Sequence, residues 1–347
     1  MAEVTMSGDR VSLRAGRHRA AGPVVVVTGA SAGVGRAVSR RFAQKGARVA
    51  LIARGADGLE GARQDVERLG GEALVIQADV AEADAVDNAA EHAERELGPI
   101  DIWVNNATTT VFSRIREMTA EEFRRVTEVA YLGYVHGTLS ALKRMLPRDR
   151  GTVVQVGSAL SYRAIPLQSA YCAAKHAIQG FTESLRCELM HDGSHVRVTM
   201  VHMPALNTPQ FGWNRTRMPR HPQPVPPIYQ PELAAEAVYY AAFHDRVEMA
   251  VGWPTVAAVY GNRIAPRLLD RQLARTGFDS QQTDGPVQPG RPDNLWEPLP
   301  GDRGAHGAFD DRSWSFSPQF WANKNRKWLM LGACVVGSAA ALWRVRR

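Results

Sequence analysis

Tyr171 and Lys175 stand four residues apart in Tyr-Cys-Ala-Ala-Lys, the spacing that sets two side chains on one face of a helix. A phenol titrates near pH 10 and is a poor base at neutral pH. A neighbouring cation stabilises its phenolate, at about 1.36 kcal/mol for each unit by which the pKa moves. A lysine on the same face would therefore equip Tyr171 for proton transfer, although such a pair taken alone is more often a packed aromatic beside a solvated lysine. Ser158 adds a hydroxyl upstream, where the apolar run from Gly151 to Gly157 ends. Cys172 lies beside the tyrosine on a different side of the helix, and its position suits packing better than nucleophilic chemistry.

A second group opens the chain's first apolar run. Thr28-Gly29-Ala30-Ser31-Ala32-Gly33-Val34-Gly35 follows four valines, and a helical pattern begins at once. Glycines there permit positive φ and let the backbone approach a pyrophosphate, whose charge is favoured by the free N–H groups of a helix start. The spacing is G-x-x-x-G-x-G and not the general G-x-G-x-x-G, and a plain tight turn would also account for it.

These residues need a scaffold, and the chain supplies one from Pro23 onward. Apolar runs alternate with longer helical stretches, the pattern of βαβ units. Strands are predicted at Val24–Thr28, Arg48–Ala53, Ala73–Gln77, Asp101–Val104, Gly151–Gly157, His195–Val201 and Met249–Val251, with crossover helices such as Ala56–Leu69 and Glu82–Leu97. Near-continuous Val, Ile and Leu runs imply a parallel sheet covered on both faces. The expectation is an α/β fold, a Rossmann-type doubly wound sheet of about seven strands.

Taken together and in this order, TGASAGVG, the Asn105-Asn106-Ala107 segment, Ser158 and YCAAK resemble the classical short-chain dehydrogenase/reductase family, over about Val24 to Trp253. The resemblance implies an NAD(P)-linked oxidoreductase acting on a carbonyl/alcohol pair. In that family the serine positions the substrate oxygen, the tyrosine transfers the proton, and the lysine lowers the tyrosine pKa and holds the nicotinamide ribose. These roles carry over to Ser158, Tyr171 and Lys175. The resemblance also assigns coenzyme contacts to Thr28, Gly29, Ser31, Gly33, Val34 and Gly35, to Asp79 and Val80 at the adenine, to Asn105 and Ala107, and to Pro204 and Thr208 at the carboxamide. Thr108 and Ala205 replace glycines that the family usually carries, and the resemblance further implies a homodimer or homotetramer.

Two departures bear on chemistry. Where an acidic residue after the second strand would accept bonds from a ribose 2′-hydroxyl, this chain has Ala53-Arg54, so NADP(H) is expected over NAD(H), with NAD(H) still usable. Where the family commonly carries an Asn that holds a water beside the lysine, this chain has Ala130, and no Asn occurs between Asn106 and Asn207. Thr127 or an extra water is the substitute the sequence offers. An alternative reading follows from Ala130: a coenzyme-binding sensor or scaffold with weakened turnover.

The rest of the chain narrows the classes. The net charge of +7 is spread along the chain, which argues against nucleic acid as a partner. Cys172, Cys187 and Cys334 are few and lack metal-ligand spacing, so no metal site or disulfide framework is expected, and a reducing, cytoplasmic setting fits. His136, His191, His195 and His202 share no helical spacing with carboxylates and read as ordinary residues. Residues 1–22, with Arg10, Arg14, Arg17 and Arg19, read as a flexible basic leader without a signal peptide. The catalytic domain is expected over residues 23–264, with a Pro-rich substrate lid at 205–230. Leu160, Tyr162, Leu167, Phe211 and Trp213 would then make a fairly apolar pocket. A Pro/Gly/Asp-rich extension covers 265–323, and 324–347 is an apolar segment flanked by basic residues. Trp328–Trp343, about 24 Å long as a helix against a hydrocarbon core of about 30 Å, fits either membrane contact or a helix packed on protein.

Overall fold

The structure, a computed structural model, describes residues 22–326 together with 328 and 329. The basic leader, apart from Gly22, and Trp328–Trp343 beyond Leu329 lie outside the described residues. Among the described residues no helix is long and apolar enough to cross a membrane.

Seven parallel strands form the central sheet: β1 (Val24–Thr28), β2 (Arg48–Ala53), β3 (Glu72–Gln77), β4 (Ile102–Asn105), β5 (Thr152–Ser158), β6 (Arg197–Met203) and β7 (Glu248–Ala250). The four valines of β1 are wholly buried and alternate between the two sides of the sheet. Val25 and Val27 pack with α1 (Gly33–Ala43), α2 (Ala56–Arg68) and α7 (Pro231–Phe243), while Val24 and Val26 pack with α3 (Ala83–Leu97), α5 (Gly133–Met145) and α6 (Ser169–His191). A strand with no wet face can be valine throughout, which is why these runs were readable as strands.

The strand order is β7-β6-β5-β4-β1-β2-β3. It reverses between β1 and β4, and in an open α/β sheet the crevice beyond the strand ends at such a reversal is where ligands bind. The glycine-rich turn after β1 and the Asn106–Thr108 segment after β4 border that crevice.

The chain beyond Ala265, where composition suggested an extended course, starts with a helix. Pro266–Thr276 (α9) follows α8 (Trp253–Ile264) directly, with Pro266 at its first turn, where a missing N–H costs nothing. The average composition of 265–309 masked this short amphipathic stretch. Farther on, Gln282–Pro286 pairs antiparallel with Arg220–Pro222, and Ser313–Trp314 pairs parallel with Ile228–Tyr229. The segment between β6 and α7 is thus tied down by the C-terminal part of the chain before α10 (Pro318–Lys324) packs Phe320 into the core.

Candidate active site

Ser158 is the last residue of β5, in extended backbone, and its hydroxyl accepts a bond from the Leu160 amide at 3.1 Å. Tyr171 and Lys175 sit in the first two turns of α6, which starts just after Leu167, a residue with φ of +70°. That turn brings the helix back over the end of β5, so Ser158, Tyr171 and Lys175 all line one cavity of about 440 Å³. The Ser158 side chain lies close to the Tyr171 phenol.

Burial governs the electrostatics. It pushes the Tyr171 phenol well above its usual range, and the nearby Ser158 hydroxyl opposes it only in part. Lys175 is 2% exposed, and burial pulls its ammonium down to about 7. The Lys175 Nζ lies 5.5 Å from the Tyr171 ring centre but donates elsewhere, to the Tyr134 hydroxyl at 2.9 Å and to the Val156 carbonyl at 2.9 Å. Burial therefore dominates at the Tyr171 phenol, while Lys175 directs its bonds to Tyr134 and Val156.

Tyr134 is the site residue that the sequence reading missed. Its hydroxyl also donates to the Val156 carbonyl at 3.0 Å, and it lies one turn after Ala130, across a π-helical turn at Glu128–Leu132. The i+4 spacing from the missing Asn was the available signal, since it keeps the same face. Ala130 itself is fully buried among Val126, Ala170 and Ala174. Thr127 is not the substitute: its hydroxyl donates to Phe123 O within its own helix at 2.9 Å.

The coenzyme contacts named from the sequence divide into two groups. Gly29, Ser31, Gly33, Val34, Arg54, Asp79, Val80, Ala107, Pro204 and Thr208 line the cavity. Thr28, Gly35 and Asn105 stand behind it. The Thr28 hydroxyl accepts from the Asn106 and Ala107 amides, and Asn105 is wholly buried, donating to Thr138 and Gln155, while Asn106 faces the cavity. A Cβ at Gly35 would lie 2.2 Å from Gly29 O, so that glycine keeps the helix start against the turn. Gly29 has φ of +66°, and a Cβ there would meet Ala107 Cα at 2.8 Å. The Thr208 hydroxyl is buried and has no partner among the described residues. A tight glycine cradle at a helix start and an orphaned hydroxyl at the far end fit a dinucleotide.

Arg54 donates to the carbonyls of Asn294 at 2.6 Å and Trp296 at 2.5 Å and lies 4.0 Å from Asp79. Burial lowers its pKa. Of the expected pocket residues, Leu160, Phe211 and Trp213 line the cavity. Leu167 instead packs with Phe112, Phe211 and Phe309. Tyr162 turns away to bond Glu248, which also meets the buried His202 at 3.2 Å and is held down to about 2, chiefly by His202. His202 and Glu248 face each other across neighbouring strands, a relation that helical spacing could not reveal. No cluster of metal-ligating side chains occurs among the described residues.

Comparison with known proteins agrees with this geometry. A family model described as short chain dehydrogenase matches residues 23–218. The uncharacterized oxidoreductase YxnA of Bacillus subtilis is 32% identical, over 91% of this chain and 89% of its own. A fatty acyl-CoA reductase of Acinetobacter baylyi is 28% identical over 65% of this chain and 74% of its own. Among solved structures, an alcohol dehydrogenase from Thermococcus sibiricus complexed with 5-hydroxy-NADP superposes with a TM-score of 0.57 at 27% identity, covering 66% of this chain and 95% of that one.

Proposed function

Because the chain belongs to the short-chain dehydrogenase/reductase family, we propose that it is an NADP(H)-dependent oxidoreductase that interconverts a fairly apolar carbonyl compound and its alcohol. The coenzyme, when bound, supplies or accepts the hydride. Tyr171 gives its phenolic proton to the carbonyl oxygen during reduction and takes the alcohol proton in the reverse direction. Ser158 donates a hydrogen bond to the same oxygen and fixes its position. Lys175 holds the ribose and carries the charge through which the Tyr171 proton is replaced. Tyr134 holds that ammonium from behind, in the role that an Asn at position 130 would otherwise support.

The observation that carries this reading is the convergence of Ser158, Tyr171 and Lys175 on one cavity whose other end is the glycine cradle. Arg54 supports NADP(H), since it is a cation at the end of β2 with no acidic residue beside it in Ala53-Arg54-Gly55. Leu160, Phe211 and Trp213 support an apolar substrate. Exposed Phe123, Leu132 and Leu139 on the α4 (Ala120–Thr127) to α5 surface support a homodimer or homotetramer. The test is a panel of straight-chain and aromatic aldehydes, ketones and alcohols with both coenzymes, followed by absorbance of the reduced nicotinamide. Turnover with NADPH on apolar carbonyls is expected. Tight NADPH binding with no turnover across the panel would put the sensor reading first.

A further inference from the structure

Residues 294–304 cross the outer side of the cavity, far in sequence from the motifs beneath them. Asp302 bonds Arg36 of α1 at 3.0 and 3.2 Å, and Arg36, 3% exposed, is held in turn by Asp65 at 2.6 Å and by the Ser31 and Gly58 carbonyls. The Gly301 amide donates to Asp57 of α2 at 2.7 Å, and the Gly304 carbonyl accepts from the Gly33 amide at 3.0 Å. At the other end Leu295 is wholly buried beside Ala130 and Tyr171, and its carbonyl accepts from Arg125. Arg54 clasps the two carbonyls flanking Leu295. The segment is therefore fixed at both ends, but it does not fill the space below. Asn294, Pro298, Leu299, Gly301 and Arg303 face the same cavity as Gly29, Ser31 and Gly33.

We propose that residues 294–304 are the second wall of the coenzyme site, so that the adenosine and pyrophosphate lie between this strap and the glycine-rich turn. This rests on the coenzyme reading above and adds two things to it. First, Arg303 makes no ion pair among the described residues and faces the cavity beside the helix start, where the pyrophosphate charge belongs. Second, a coenzyme walled on both sides cannot leave sideways, and its exchange requires the strap to part from Arg36 and Asp57.

The experiment follows NADPH release from the full chain by stopped-flow fluorescence. Asp302→Asn removes the strap's charged contact while leaving Arg36 paired with Asp65, and release is expected to quicken at least about tenfold. A lock comes from the double variant Gly55→Cys with Pro298→Cys: a Cβ built at Gly55 lies 3.3 Å from Pro298 Cβ, close to the usual disulfide separation of about 3.8 Å. Loaded with NADPH and oxidised, this variant is expected to hold the coenzyme, and dithiothreitol is expected to restore release, which also serves as its folding control. Arg303→Ala is expected to weaken NADPH and NADH by the same factor, because both carry the pyrophosphate. Release from the oxidised variant at the wild-type rate, or an unchanged rate in Asp302→Asn, overturns the gate. Undiminished binding of both coenzymes by Arg303→Ala overturns the wall. A wild type that binds neither NADPH nor NADH overturns instead the coenzyme reading beneath both.

Discussion

The ammonium of Lys175 and the hydroxyl of Tyr134 are 2.9 Å apart, and both donate to the carbonyl of Val156, closing a triangle of polar groups beneath the candidate active site. An ammonium has three N–H bonds, so this arrangement leaves one for the ribose. Tyr134→Phe withdraws the hydroxyl acceptor from a buried cation. Turnover is expected to fall at least about tenfold with little change in NADPH affinity. The Lys175 pKa should drop further without that acceptor, moving the alkaline limb of the kcat profile to lower pH. A fall in Tm with an unmoved pH profile would show that Tyr134 only packs. Ala130→Asn, by contrast, places a larger side chain at a fully buried position whose task is already filled. It should be neutral or mildly destabilising through overpacking, with no gain in rate.

Tyr171→Phe removes only the proton-transferring hydroxyl. Turnover should drop by about 10²-fold or more, while NADPH still raises Tm as in the wild type, because the cradle and Lys175 are untouched. Near-normal turnover would refute the assignment of Tyr171.

Burying Lys175 costs stability, and the sign of its pH dependence can be worked out. Its pKa falls from 10.5 to about 7 on folding, so between these values the unfolded chain binds more protons and stability rises with pH. Below about pH 7 the folded protein bears the whole cost of the buried charge, at about 1.4 kcal/mol per unit of difference. Lys175→Met should therefore raise Tm most at pH 7 and below, with the gain shrinking as pH climbs toward 10.5. Thermal melts across that window decide it; a gain independent of pH would mean that the cost lies elsewhere.

For coenzyme choice, NADPH should protect against thermal unfolding at lower concentration than NADH, since each binds only the folded state. Arg54→Asp should reverse that order by repelling the 2′-phosphate. Equal protection of the wild type by the two coenzymes would remove Arg54 as a phosphate ligand.

How legible all this was depended on the range of the interactions. The strands of the sheet could be read from Val24–Thr28 and its counterparts because burial on both faces writes itself into consecutive residues. The set of Ser158, Tyr171 and Lys175 was legible because two of its members share one helix. Tyr134 was not, since its task is defined by a carbonyl on β5 and an ammonium on α6 that only the fold assembles. His202 and Glu248 met across two strands, 46 positions apart. Residues 294–304 gave the least signal: two prolines, two glycines and an aspartate whose composition says loop, and whose partners Arg54, Asp57 and Arg36 lie some 240 or more positions away.

That separation has a consequence for how the protein is made. The glycine-rich turn and all seven strands are made before the residues that lie across the crevice, so during synthesis the sheet can form while its ligand crevice still stands open. Domains fold from the N-terminal side as they emerge, and contacts this distant in sequence close late. A chain cut short before residue 294 would keep every strand of the sheet yet expose the groove beside Tyr171 that Leu295 otherwise fills. Completion of the site thus waits until residues 294–304 have been made, after every strand of the sheet.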